Sequence, residues 1–123
     1  MNKTQGLAAP FALLAGAFYL ADGIWGLFSP VTFGMLTTNL LHTIIHIVMG
    51  VLGLYAARTN YARLWCLGAG LIVLPVGVLY FVPGINGLLV SLFNLNQAVS
   101  IMNIVLGIIA LLMWRVTPVA ARA

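Results

Sequence analysis

Four apolar runs, each close to twenty residues long, dominate the chain at about 7–28, 38–57, 64–82 and 92–114. A helix needs roughly 20 predominantly apolar residues to cross a bilayer, so each run is long enough to span one. Membrane-crossing strands alternate polar and apolar side chains, and these runs do not, which predicts helices. The expected fold is all-α: an integral membrane four-helix bundle forming a single four-span domain over residues 1–123. Only 5% of the residues are charged, against about 25% in a soluble domain, so the composition supplies no water-facing surface. The expected surroundings are the lipid bilayer. Five bases scattered along the chain make no nucleic-acid patch. The single cysteine, Cys66, falls within the third run, excludes an intrachain disulfide and reads as a buried bystander.

The first run exceeds the roughly 7–15-residue core of a signal peptide and is read as span 1. Charge then sets orientation. With four spans, the N-terminus, the 58–63 connection and the C-terminus share one side of the membrane. Lys3, Arg58, Arg63, Arg115 and Arg122 all fall there, whereas the 29–37 and 83–91 connections carry no charge. Cytoplasmic segments hold the excess of Lys and Arg, so both termini are expected in the cytoplasm of a bacterial inner or thylakoid-type membrane. Tyr55, Tyr61, Trp65 and Trp114 would mark the inner interface, and Trp25, Phe28, Tyr80 and Phe81 the outer one.

The two halves resemble each other. Asn39-x6-His46-Ile-Val-Met-Gly50 in span 2 aligns, 57 residues on, with Asn96-x6-Asn103-Ile-Val-Leu-Gly107 in span 4. Ala15-Gly16-x3-Leu20-x2-Gly23 matches Ala69-Gly70-x3-Leu74-x2-Gly77, 54 residues on. Two tandem two-helix hairpins would then be related by a pseudo-two-fold axis along the membrane normal, unlike the inverted repeats of many transporters. Small residues predict where the helices touch: Ala8, Ala12, Gly16, Ala17 and Ala21 on span 1, Gly50 and Gly53 on span 2, Gly68 and Gly70 on span 3. Pro75 is expected to kink span 3.

Span 2 also carries both histidines, His42 and His46, four residues apart and so on one helical face. At 1.5 Å per residue His42 lies about 6 Å and His46 about 12 Å deep, and Asp22, the single acid, about 9 Å deep on span 1. Asn39, Asn96, Gln97 and Asn103 fall at similar levels, which predicts one buried polar cluster in the outer half of the bundle. In the second half Asp22, His42 and His46 are replaced by Val76, Val99 and Asn103; acid and histidines vanish together, as a pair would. Ionisable residues inside a membrane are functional candidates by default. Four uses are open: a hydrogen-bonded clasp between helices; axial ligation of a haem iron or chlorophyll magnesium by His42 or His46; a soft metal such as copper on His42, His46 and Met49; or a proton or quinone site. No nucleophile–base–acid set, cysteine cluster or P-loop is present, and the short uncharged connections speak against an enzyme.

At NLLHTIIHIVMGVLGLYAAR and NQAVSIMNIVLGIIAL the chain resembles a bacterial family of small four-helix membrane proteins, domain of unknown function 4383, also found in cyanobacteria and actinobacteria. In that family's pattern an Asn-x2-His element opens span 2 and ends in small residues and Ala-Arg; span 4 opens with Asn, then an acid and a histidine before Leu-Gly. Asn39, His42, His46 and Gly50 fit the first element, and Asn96 and Gly107 the second. Val99 and Asn103 stand where the acid and histidine would be, so a symmetric pair of sites is not expected. The resemblance implies the four-span topology and no particular activity. The leading functional expectation is an accessory subunit, docking onto a larger respiratory or photosynthetic membrane complex or onto copies of itself; the rivals are a haem- or chlorophyll-binding transfer protein and a small-solute or proton transporter.

Overall fold

Five helices and one β-ribbon make up residues 6–119, the part described in the computed structural model. Their order is α1 (Ala8–Gly26), β1 (Val31–Thr32), β2 (Leu36–Thr37), α2 (Leu40–Ala57), α3 (Ala62–Leu79), α4 (Asn86–Phe93) and α5 (Gln97–Val116). Helices α1, α2, α3 and α5 are each long and apolar enough to cross a membrane, as an integral membrane protein requires. Lys3 and Arg122, counted above among the cytoplasmic bases, lie outside the described residues.

The two uncharged connections hold more structure than their lengths suggest. Residues 29–37 fold back as an antiparallel ribbon, with Val31 opposite Thr37 and Thr32 opposite Leu36. Its tip places Phe33 and Gly34 at φ 51° and 73°, the left-handed region that tight hairpin turns draw on. Most of 83–91 belongs to α4, which stops at Asn94 (φ 52°), a conformation asparagine tolerates better than most non-glycine residues. That break shifts the start of the fourth span from about 92 to Gln97. Helix α3 runs on through Pro75 without interruption.

Helix α1 lies along α2, and α3 along α5. Between helices in lipid no hydrophobic force acts, so packing at close approach must hold them. Glycine permits that approach at matching places. A Cβ on Gly50 would stand 2.7 Å from the carbonyl oxygen of Gly16, and one on Gly107 would stand 2.9 Å from the backbone nitrogen of Leu74. Three of the predicted small residues do not serve this purpose. Gly68 faces open space, and Ala17 and Ala21 are exposed; they follow the small-residue pattern but lie on faces turned away from a partner helix.

Asparagines lash the two connections together. The Asn39 side chain accepts from His42 N at 2.9 Å as the N-cap of α2, and its Nδ2 donates to Leu92 O at 2.9 Å. Asn96 does the same for α5, accepting from Val99 N at 2.9 Å and donating to Met35 O at 2.8 Å. Thr37 Oγ1 donates to Asn94 O at 2.5 Å, and Asn94 Nδ2 to Thr38 O at 2.9 Å. At the other end Thr117 joins the two halves, its Oγ1 accepting from Ala8 N at 3.1 Å and its carbonyl from Arg63 Nε at 3.0 Å. Arg63 also sits 5.0 Å over the Trp114 ring. All described bases belong to that end of the bundle, opposite the ribbon and α4.

Candidate functional site

Beneath the ribbon and α4, close packing brings the one acid to the histidines. Gly23 lets α1 approach so closely that a Cβ there would stand 2.9 Å from the backbone nitrogen of Ile47. The preceding residue, Asp22, thereby meets His46 on α2: His46 Nδ1 donates to Asp22 Oδ2 at 2.5 Å. The other carboxylate oxygen accepts from the Thr32 hydroxyl on β1. All three residues are buried. A buried carboxylate is costly unless its oxygens are bonded, and here both are.

His42, one turn earlier, is bound differently. Its Nδ1 lies 3.1 Å from the carbonyl of Phe93, the last residue of α4. A carbonyl only accepts, so this nitrogen carries the hydrogen. The imidazole rings of His42 and His46 stand edge to face with centroids 4.3 Å apart, and Tyr19 stacks its edge 5.0 Å from His46. With both Nδ1 atoms engaged, Nε2 is the second nitrogen of each ring, and neither Nε2 makes a hydrogen bond among the described residues.

His42, His46 and Met49 line a chamber of about 60 Å³, with an apolar wall that includes Val73, Val76 and Leu95. Asn103 of α5 closes one side, and its buried Oδ1 has no hydrogen-bond partner. The Tyr19 hydroxyl is likewise buried without one. At Asn103 the chamber wall thus carries a buried polar atom that the protein leaves without a partner.

The expected cluster is only partly assembled. Asp22 and His46 meet directly, and His42 and Asn103 share their chamber. Asn39 and Asn96 sit above it as helix caps, where an asparagine side chain replaces the missing intrahelical acceptor. Gln97 is exposed and stands outside the cluster, because the shifted start of α5 puts it on the outer face of the first turn. Three contributors escaped the sequence: Thr32 and the Phe93 carbonyl, which come from connections with no recognisable motif, and Tyr19. Only Tyr19 left a signal, lying three residues before Asp22 and so on its helical face.

The chamber itself would not house a haem or chlorophyll macrocycle: the space beside His42 and His46 is about 60 Å³, smaller than an engineered cavity of about 150 Å³ that binds benzene. The space suits an ion or a few water-sized groups.

The family model described as Domain of unknown function (DUF4383) matches residues 10–116. The chain belongs to this family. No curated protein and no solved structure matches the chain. The matched segment contains every residue of the chamber and both asparagine caps, so fold and chamber fall within the family's own domain.

Proposed function

We propose that this protein is a membrane-embedded binding protein, not an enzyme, whose working part is the His42–His46 chamber. One observation carries the reading: polar residues on two helices, His42 and His46 on α2 and Asn103 on α5, line a single small space, and Asn103 Oδ1 and both Nε2 atoms have no hydrogen-bond partner among the described residues. Each Nδ1 gives its hydrogen to an acceptor, Asp22 for His46 and the Phe93 carbonyl for His42, and a ring whose single hydrogen sits on Nδ1 presents a lone pair at Nε2. Asn103 Oδ1 adds a third acceptor. Such a set is complementary to a cation or to a compact hydrogen-bond donor. A helix clasp alone would need Asp22 and His46, but neither Asn103 nor the second histidine.

The same proposal has both termini in the cytoplasm, supported by Arg58, Arg63 and Arg115 at one end and by two uncharged connections at the other. It includes descent from a duplicated hairpin, supported by the reciprocal bonds of Asn39 and Asn96, whose acceptors Leu92 and Met35 are themselves 57 positions apart. The accessory-subunit role has only lipid-facing apolar surface and small extramembrane mass behind it, which select no partner.

Carbethoxylation by diethyl pyrocarbonate tests the reading, since the reagent attacks a free imidazole lone pair. In folded protein in detergent micelles both histidines should react. Two histidines that stay unmodified until the protein unfolds would refute an open, ligand-ready chamber.

A further inference from the structure

Building on the binding role proposed above, we infer that the chamber takes one Cu(I) ion, ligated by His42 Nε2, His46 Nε2 and the Met49 thioether, with Asp22 as the outer partner of His46. The spacing is the first support. Two histidines at i and i+4 on one helical face form the chelating pair found in helical metal sites, and Met49 follows at i+7 on the same face and lines the same space. The second support is orientation. A metal-ligating histidine normally gives its other ring hydrogen to a carboxylate or a backbone carbonyl; His46 gives it to Asp22 and His42 to Phe93. The third is the unpartnered, buried Asn103 Oδ1 at the chamber wall, which marks a place where the protein alone leaves an acceptor unsatisfied.

Charge selects the ion. Among the described residues no group of three or more His, Cys, Asp or Glu could hold a metal, so a dication would enter a neutral donor set deep in an apolar wall. The cost of burying an ion rises with the square of its charge, which makes a divalent ion about fourfold costlier than a monovalent one. The Asp22 carboxylate, the only acid in the sequence, balances a single positive charge. Hard monovalent and divalent cations prefer oxygen ligands, whereas thioether and imidazole together favour Cu(I). Volume agrees: about 60 Å³ holds an ion and leaves no room for a large chelate.

The test is anaerobic titration of the purified protein in micelles with Cu(I), competed by bicinchoninate. The expected result is one Cu(I) per chain, with sulfur scattering in the X-ray absorption spectrum. Met49→Leu conserves side-chain volume and should fold; it should weaken retention and remove the sulfur signal. Asp22→Asn should lower affinity by about 10–100-fold, as loss of an outer-shell partner does, and His42→Ala with His46→Ala should abolish stoichiometric uptake. Failure to hold Cu(I) against the chelator overturns the assignment, as does uptake unchanged by Met49→Leu or a preference for Zn(II). If both histidines react with diethyl pyrocarbonate yet Cu(I) is not held, the metal fails and the binding chamber survives; unreactive histidines without Cu(I) uptake defeat both.

Discussion

Replacing Asp22 by asparagine and by leucine separates the two things its carboxylate does. It accepts one bond from His46 and one from Thr32. Side-chain hydrogen bonds between membrane helices contribute on average about 0.6 kcal/mol and at most about 1.7 kcal/mol, so Asp22→Leu, which removes both, should cost about 1–3 kcal/mol. Asparagine keeps the shape. Its Oδ1 accepts from one partner, and its amide donates to the Thr32 oxygen once that hydroxyl turns round. Charge-assisted bonds are roughly twice as strong as neutral ones, so Asp22→Asn should lose about half as much, roughly 0.5–1.5 kcal/mol. Unfolding in mixed micelles of rising dodecyl sulfate content, followed by circular dichroism, ranks the three proteins. Stability is expected to fall from wild type through Asp22→Asn to Asp22→Leu. A leucine variant as stable as wild type would refute the clasp, because an uncompensated Thr32 hydroxyl and His46 N–H cannot be buried free of cost.

Two further outcomes follow from packing and capping. Gly50→Ala should destabilise by about 1–3 kcal/mol, the usual cost of overpacking, because its methyl group would meet backbone of α1; Gly68→Ala, which meets nothing within 4 Å, should stabilise by up to about 1 kcal/mol through helix propensity alone. The same unfolding measurement reads both, and equal signs would contradict the described helix seams. Asn39→Ala should cost about 0.5–2 kcal/mol as a lost N-cap and should speed hydrogen exchange in α4 as well as at His42, since Leu92 O loses its donor; acceleration confined to the start of α2 would show that the tie between the connections holds nothing in place.

The spans were legible because a bilayer imposes one length and one polarity on everything that crosses it. The pairing of Asp22 with a histidine was also legible, since a lone acid in lipid has few alternatives and adjacent helices share its depth. The ends of the elements were not. Asn94 stops α4 through a backbone conformation that no hydropathy profile registers, and Gln97, the first residue of α5, is exposed outside the expected cluster. Depth counting likewise placed Asn39 and Asn96 with His42 and His46, yet could not tell an asparagine facing the chamber from one bonded to its own helix. Thr32 was invisible for a different reason: its role depends on a hairpin turn at Phe33 and Gly34 that swings β1 over the end of α1.

The crossed asparagine ties carry a consequence for how the chain is made. Asn39 finds its acceptor at Leu92 and Asn96 finds its own at Met35, so each hairpin can cap its own helix but neither can satisfy its asparagine Nδ2 before the other arrives. During synthesis the first pair of helices must enter the bilayer with Met35 O and Asn39 Nδ2 still hydrated, waiting at the membrane face for a partner not yet translated. The final pair then acts as a closing latch, and the roof over the histidines is the last part of the molecule to be assembled.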